Sequence, residues 1–176
     1  MLLNHRKPVM INKAGFGGGC HWCTEAVFLS LKGVIAVQQG WIASDGDNTS
    51  FSEGVIVEYD TDSITLEVLM AVHLHTHSST ASHSMRGKYR SGVYTFNDGE
   101  RLEAVAAIAL LQNDFDAPVI TQVLPFANFK INREESLNYY FNDPERPFCE
   151  NYISPKLRLI REQFSAVANV DKLKHL

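Results

Sequence analysis

The sequence has few cysteines, no long apolar run and no excess of positive charge, and each shortage excludes a class of protein. Three cysteines are too few, and odd in number, for the disulfide framework of a secreted protein, and they fit functional thiols in a reducing compartment. No run approaches the length of about 18 apolar residues that a membrane helix needs, and residues 1–8 lack the apolar core of a signal peptide. We therefore expect a cytoplasmic protein with no membrane partner.

The charge balance is slightly acidic, with 16 Lys and Arg against 20 Asp and Glu and a net charge of −4. Because a protein that binds nucleic acid must offset the phosphate charge with Lys and Arg, we expect no nucleic-acid partner. At 176 residues and 45% hydrophobic content, the chain is long enough to bury a core, and no low-complexity linker divides it. One globular domain over residues 1–176 is the simplest organisation.

The segment over residues 16–25, Phe-Gly-Gly-Gly-Cys-His-Trp-Cys-Thr-Glu, places Cys20 at the predicted start of a helix. Unpaired N–H groups and the positive end of the helix dipole stabilise a thiolate there, so the thiol pKa falls. The three preceding glycines leave the sulfur open to a substrate. Cys20 is therefore the first candidate for a catalytic nucleophile, and the alternative is a buried, inert thiol.

The order of the predicted elements indicates an α+β fold. Strand patterns cover residues 9–11, 33–41, 54–59 and 91–96, and helix patterns cover residues 20–33 and the stretch after the turn residues 60–63. This β-α-β-β-α-β order is that of the ferredoxin-like split βαβ motif, an antiparallel sheet with helices on one face. C-terminal additions follow: a helix over 100–113, a strand over 119–124, a short helix over 134–141 and a helix with Ser154 as N-cap.

Cys20 and Cys23 form a Cys-x-x-Cys pair, whose spacing permits an exchangeable disulfide across one helical turn. A zinc site of this pair, Cys149 and a histidine is disfavoured, since Cys149 has no second ligand close to it in sequence. The glycines lack the Lys and the Ser or Thr of a phosphate-binding loop. We predict neither a cofactor nor a metal. Cys149 itself lies in a proline-punctuated segment, either over the active site or buried beside Phe148.

Three histidines, His73, His75 and His77, lie two residues apart, and His83 follows. On a helix this spacing splays the rings around the axis, whereas an extended segment would place them on one face as metal ligands. A solvated helix end or loop is the favoured interpretation.

Several segments together resemble the peptide methionine sulfoxide reductase A family. They are residues 18–25 (Gly-Gly-Cys-His-Trp-Cys-Thr-Glu), 31–34 (Leu-Lys-Gly-Val), 89–94 (Tyr-Arg-Ser-Gly-Val-Tyr), 142–149 (Asn-Asp-Pro to Pro-Phe-Cys) and 154–157 (Ser-Pro-Lys-Leu). The resemblance implies that the cysteine matching Cys20 attacks the sulfur of methionine S-sulfoxide, free or in oxidised proteins. Methionine leaves and a cysteine sulfenic acid remains, a second thiol condenses with it, and a thioredoxin-like dithiol reduces the disulfide.

The resemblance also implies roles for individual residues. Trp22 would form a wall of the pocket for the substrate's S-methyl group, beside Trp41, where the family has tyrosine, and His21, where it has phenylalanine. Tyr89 would donate a hydrogen bond to the sulfoxide oxygen. Cys149 lies where many members place the recycling cysteine, and Cys23 is the second candidate.

Departures from the family pattern concern the acidic residues. The segment between Trp41 and Glu53 is too short for the usual loop, so the glutamate that protonates the sulfoxide oxygen has no match, and Ser84 replaces an aspartate. Glu25 and Glu53 are interpreted as a helix-turn charge and a strand-edge residue. His21 either replaces the acid, by lowering the pKa of Cys20 or donating a proton, or is a tolerated polar substitution.

The sequence thus predicts an oxidoreductase that repairs methionine S-sulfoxide, with activity reduced by the loss of the acid. Two alternatives remain open. One is a degenerate member that binds methionine-containing peptides or a partner without reducing them. The other is a general thiol oxidoreductase that uses Cys20 and Cys23 as its redox pair.

Overall fold

A mixed six-stranded sheet organises the chain in the computed structural model, which describes residues 7–176. Its order is β5-β4-β1-β3-β2-β6, and each neighbouring pair is antiparallel except β4 and β5, which run parallel. The strands are β1 (Ile11–Gly17), β2 (Val34–Ala43), β3 (Ser52–Asp60), β4 (Gly92–Thr95), β5 (Gln122–Pro125) and β6 (Asn128–Ile131). Residues 1–8 show no signal-peptide pattern in the sequence. The first six of them lie outside the range that the structure describes.

The helices are α1 (His21–Leu29), α2 (Leu66–Thr76), α3 (Asp98–Leu111), α4 (Tyr139–Asn142), α5 (Ser154–Gln163) and α6 (Val170–Leu173). A wider π-helical turn over Cys149–Ile153 leads directly into α5. For this reason Ser154 is the first helical residue of α5 and not its N-cap, as the sequence had suggested. Within residues 7–176, none of the helices is long and apolar enough to cross a bilayer.

The two faces of the sheet differ because strand residues alternate. One face packs against apolar residues of α1, α2, α3 and α5 and forms a single cluster with them. The buried strand residues on this face include Phe16, Val55, Val57 and Val93. The opposite face carries a smaller cluster of Ile42, Ile56 and Tyr94. The predicted α+β class is confirmed, but the sheet is not purely antiparallel, because β5 joins β4 in parallel.

Glycine is required at one position of the turn between β1 and α1. Gly18 has a φ of +150°, and a Cβ there would lie 2.5 Å from the ring of His77. A Cβ at Gly19 would meet no atom within 4 Å. The turn therefore delivers Cys20 to the N-terminus of α1 at the end of the central strand β1.

Candidate active site

Cys20 is the N-cap residue of α1, as the glycine turn predicts, and its thiol is free and half-buried. The pKa of Cys20 is lowered, chiefly because the Cys23 thiol donates a hydrogen bond to its sulfur. Backbone N–H groups of Trp22 and Cys23 add to this lowering, whereas burial opposes it, as does Glu53 in its ionised form. The helix start thus provides the thiolate-stabilising setting expected for a nucleophile.

The other two cysteines are held as thiols. Donation to Cys20, followed by burial, raises the pKa of Cys23, whose side chain is buried beneath the first turn of α1. Burial also raises the pKa of Cys149, which has no exposed surface at all. Cys23 is therefore the thiol in direct contact with Cys20, whereas Cys149 belongs to the core beside Ile153.

A cleft of about 350 Å³ opens at Cys20. We call it the Cys20 cleft, and its lining residues are Cys20, His21, Trp22, Trp41, Glu53, Lys88, Tyr89 and Phe148. The cleft brings together five of the site residues expected from the sequence: Cys20, His21, Trp22, Trp41 and Tyr89. The other two do not line it, since Cys23 lies behind Cys20 and Cys149 is buried in the core. The cleft is also lined by Phe148, Lys88 and Glu53, for which the sequence predicts no part in the site.

Aromatic rings form one wall of the cleft. Trp22 stacks on Tyr139, with ring centroids 4.0 Å apart and planes 6° from parallel, and Phe148 meets Trp22 edge-on at 5.7 Å. Trp41 meets the His21 ring edge-on at 5.3 Å. A flat apolar surface next to a sulfur nucleophile suits a thioether or sulfoxide side chain.

Glu53 lies inside the cleft, on the buried face of β3, and is not the strand-edge residue that the sequence suggests. Its side chain is only 6% exposed, and its Oε1 accepts a hydrogen bond from the His21 backbone N–H at 3.3 Å. Lys88 Nζ is 3.6 Å from Oε2. The signal that could have found it is strand alternation, which places residue 53 on the same face as Val55 and Val57, towards α1.

His21 is also buried, at 5% exposure, and both ring nitrogens have polar neighbours. Its Nδ1 is 2.8 Å from the carbonyl oxygen of Gly40. Its Nε2 is 3.3 Å from both Glu53 Oε1 and Asn132 Nδ2. His21 is therefore part of a built polar network, which the interpretation as a merely tolerated substitution does not explain.

Glu25 has a structural role different from the predicted helix-turn charge. It is 3% exposed and accepts hydrogen bonds from the Gln39 amide and from the backbone N–H groups of Asn138 and Tyr139. Burial raises the pKa of Glu25, and these hydrogen bonds oppose the rise. Glu25 thus holds the segment that presents Tyr139 to Trp22. Ser84, in contrast, is exposed and does not line the cleft.

The interpretation of the histidines as a solvated helix end or loop is wrong for His73, whereas His75 and His77 are partly exposed at the end of α2 and His83 is exposed. His73 is 3% exposed and its Nε2 donates to the carbonyl of Gly17 at 2.9 Å, while His75 pairs with Asp114 at 3.0 Å. Burial lowers the pKa of His73 well below the usual value. Among residues 7–176, no group of three or more His, Cys, Asp or Glu side chains is arranged to hold a metal.

A second cavity, of about 290 Å³, shares Cys20, Tyr89 and Phe148 with the Cys20 cleft. We call it the Lys156 cavity, because Lys156 lines it together with Cys23. The Lys156 ammonium donates to the carbonyl of Thr76, and burial lowers its pKa while the charges of Cys23 and Cys20 oppose the lowering. A cation thus lies close to both sulfurs.

Comparison of the sequence with known protein families and with individual proteins gives the same family in both cases. The family described as "Peptide methionine sulfoxide reductase" matches residues 12–168. A protein of Acinetobacter baumannii named peptide methionine sulfoxide reductase MsrA is 31% identical over 169 residues, covering 88% of this chain and 96% of that protein.

Two solved structures of Mxr1 from Saccharomyces cerevisiae share the fold. The reduced form has a TM-score of 0.71 at 21% identity and covers 81% of this chain and 91% of its own. Mxr1 in complex with Trx2 has a TM-score of 0.59 at 21% identity, covering 73% of this chain and 84% of that one.

Proposed function

The chain belongs to the peptide methionine sulfoxide reductase family, and we propose that it reduces methionine S-sulfoxide to methionine with Cys20 as the nucleophile. The observation that carries this proposal is the Cys20 cleft. There a thiol with a lowered pKa, an aromatic wall and a buried carboxyl group face one volume. A sulfoxide needs all three: a nucleophile for its sulfur, apolar contact for its methyl group and a proton for its oxygen.

In the first half of the reaction, the Cys20 thiolate attacks the sulfoxide sulfur and Glu53 supplies a proton to the oxygen. The S–O bond of the sulfoxide then breaks as the protonated oxygen passes to Cys20, and the transient bond between the two sulfurs breaks to release methionine. The sulfoxide is thereby reduced by two electrons and Cys20 is oxidised to a sulfenic acid. We assign a second hydrogen bond to the same oxygen to Tyr89, which lines the cleft. Trp22, Trp41 and Phe148 enclose the methyl group.

In the second half, we assign the resolving role to Cys23. Its thiol already donates to the Cys20 sulfur, whereas Cys149 is completely buried. Attack of the Cys23 sulfur on the sulfenic acid forms the Cys20–Cys23 disulfide and releases water, and an external dithiol then reduces the disulfide. A thioredoxin-like protein is the proposed reductant, by analogy with the complex of Mxr1 and Trx2.

The position of Glu53 removes one reason for proposing a catalytically weakened binding protein, the missing acid, whereas the replacement of the family's aspartate by Ser84 stays. A general thiol oxidoreductase would use the same pair of cysteines but would not need the aromatic wall or Glu53. We also infer a ferredoxin-like core from the antiparallel order β4-β1-β3-β2, with α1 and α2 as its connections. A single domain and a cytoplasmic location stay predictions.

The test is turnover of separated S and R diastereomers of a methionine sulfoxide peptide, with dithiothreitol as reductant. We expect methionine from the S form only, and none from either form with Cys20→Ser. Equal reduction of both diastereomers, or activity in the Cys20→Ser protein, would overturn the assignment. Rapid reduction of an unrelated disulfide without sulfoxide turnover would instead favour a general thiol oxidoreductase.

A further inference from the structure

We propose that His21 is a positioning residue that holds the carboxyl proton of Glu53 ready for the sulfoxide oxygen. This inference rests on the proposed function, in which Glu53 is the acid. The first observation is that His21 Nε2 lies 3.3 Å from Glu53 Oε1, in a site where both side chains are almost completely buried. A proton shared between the two atoms makes this contact favourable, because two lone pairs facing each other repel.

The tautomer of His21 follows from its other neighbours. The Gly40 carbonyl oxygen is 2.8 Å from Nδ1, and since a carbonyl only accepts, Nδ1 carries a hydrogen. Gly40 is itself constrained, because a Cβ there would lie 2.0 Å from the carbonyl oxygen of Lys130. The carbonyl that fixes His21 is therefore held by the close approach of β6 to β2.

The side-chain amide of Asn132 indicates whether His21 Nε2 carries a hydrogen. Asn132 Oδ1 accepts from the Arg133 N–H at 2.8 Å, and Nδ2 donates to Gln39 Oε1 at 2.7 Å. Gln39 is oriented in turn, since its Nε2 donates to Glu25 and to the Ser136 carbonyl, each at 3.0 Å. Asn132 Nδ2 lies 3.3 Å from His21 Nε2, and because an amide nitrogen only donates, this neighbour disfavours a hydrogen on Nε2. The ring is therefore assigned as neutral, with the single lone pair of Nε2 facing Glu53.

With His21 neutral and protonated at Nδ1, the shared proton belongs to the carboxyl group of Glu53. After this proton passes to the sulfoxide oxygen, the new carboxylate is stabilised by Lys88 at Oε2 and by the His21 backbone N–H at Oε1. The charged groups around the pair come from each neighbouring element: Glu25 and Cys20 at α1, Lys88 before β4, and Lys130 on β6 over the Trp41 ring. The protonated form of Glu53 is therefore held by His21 Nε2, and the ionised form is stabilised by Lys88 and the His21 backbone N–H.

The experiment uses three substitutions that separate the two bonds of the ring. In His21→Gln the side-chain amide reaches the position of Nε2 and can accept from Glu53, but it does not replace Nδ1. In His21→Asn the amide reaches the position of Nδ1 and can donate to Gly40, but it does not reach Glu53. His21→Phe makes neither bond. The measured quantity is the pH dependence of methionine formation in a single turnover without reductant, so that disulfide recycling does not contribute.

We expect the alkaline limb of this profile to move down by about one pH unit in the Asn and Phe variants, which corresponds to the loss of about one hydrogen bond. The Gln variant should keep the limb near its natural position. Unshifted limbs in all three variants, or an equal shift in Gln and Asn, would overturn the proposal. Unfolding midpoints identify any variant that fails to fold.

An infrared measurement on the Cys20→Ser protein tests the proposal without a substitution at His21. We expect a carboxylic acid C=O band, at the pH of maximal activity, that disappears in Cys20→Ser/Glu53→Gln. A carboxylate at residue 53 under these conditions would overturn the inference. The proposed function fails separately, if the natural protein does not reduce the S-sulfoxide or if Glu53→Gln is fully active.

Discussion

Trp41 and Glu53 are directly opposite each other in the antiparallel pair of β2 and β3. Cross-strand partners place their side chains on the same face, about 4.5–5.5 Å apart at Cβ. Once Trp41 is assigned to the pocket, the register therefore brings Glu53 into it as well. A loop of ordinary length is not needed to bring a carboxyl group there, because Glu53 lies on the strand itself.

Glu53→Gln is expected to lower kcat/KM for the S-sulfoxide by about 10²–10⁴-fold, the usual contribution of positioned proton transfer. Gln preserves the size of the side chain but has no acidic proton. The matched control is Glu58→Gln, on the same strand, where the carboxylate pairs with Lys13 near the surface. Turnover with dithiothreitol measures both variants, and similar rates for the two would rule out Glu53 as the acid.

Cys23→Ala is expected to raise the pKa of Cys20, because the lowering depends first on donation by the Cys23 thiol. The loss of a hydrogen bond to a charged group corresponds to a shift of about 1–2 pH units. Cys23→Ser retains a donor and should stay close to the natural protein. The rate of alkylation by iodoacetamide against pH gives the midpoint for each variant, and an unchanged midpoint in the Ala variant would contradict the assigned cause.

Oxidation by one equivalent of methionine S-sulfoxide is expected to link Cys20 to Cys23. Mass spectrometry of the unreduced protein identifies the linkage after proteolysis. In Cys23→Ser the sulfenic acid at Cys20 should accumulate and react with dimedone, whereas Cys149→Ser should form the natural disulfide. A Cys20–Cys149 linkage as the first product would show instead that the buried cysteine is the resolving thiol.

Gly18→Ala and Gly19→Ala form a matched pair for stability. We expect Gly18→Ala to lower the free energy of unfolding by about 1–3 kcal/mol, because of the unfavourable φ and the contact with His77. Gly19→Ala meets open space and should be close to neutral. Urea denaturation measures both proteins, and equal stabilities would show that the turn adapts to a side chain at either position.

Short-range patterns account for what the sequence predicted well. A glycine turn before helix-spaced apolar residues is enough to place Cys20 at the start of α1, and β-branched runs locate β2 and β3. Loop length after Trp41 gives no indication of Glu53, the proposed acid, whereas strand alternation from Val55 back to residue 53 does. Strand β6, over Asn128–Ile131, is short and partly exposed, so it carries little periodic signal.

The polar network around His21 could not be predicted in the same way. Asn132 is 111 positions from His21 and 93 from Gln39, so no local pattern connects the three. They meet because β6 pairs with β2, which brings Asn132 beside Gln39. The buried position of Cys149 likewise depends on the π-helical turn before α5, which its proline-punctuated sequence does not indicate.

The two cavities that share Cys20, Tyr89 and Phe148 would, on the proposed mechanism, give the sulfoxide and the reducing dithiol different approaches to the site. A methionine sulfoxide in the Cys20 cleft contacts the aromatic wall, whereas Cys23 is reached from the Lys156 cavity. An incoming dithiol therefore does not have to displace the repaired side chain before it reaches the disulfide. On this geometry, departure of the product and regeneration of the enzyme can overlap in time.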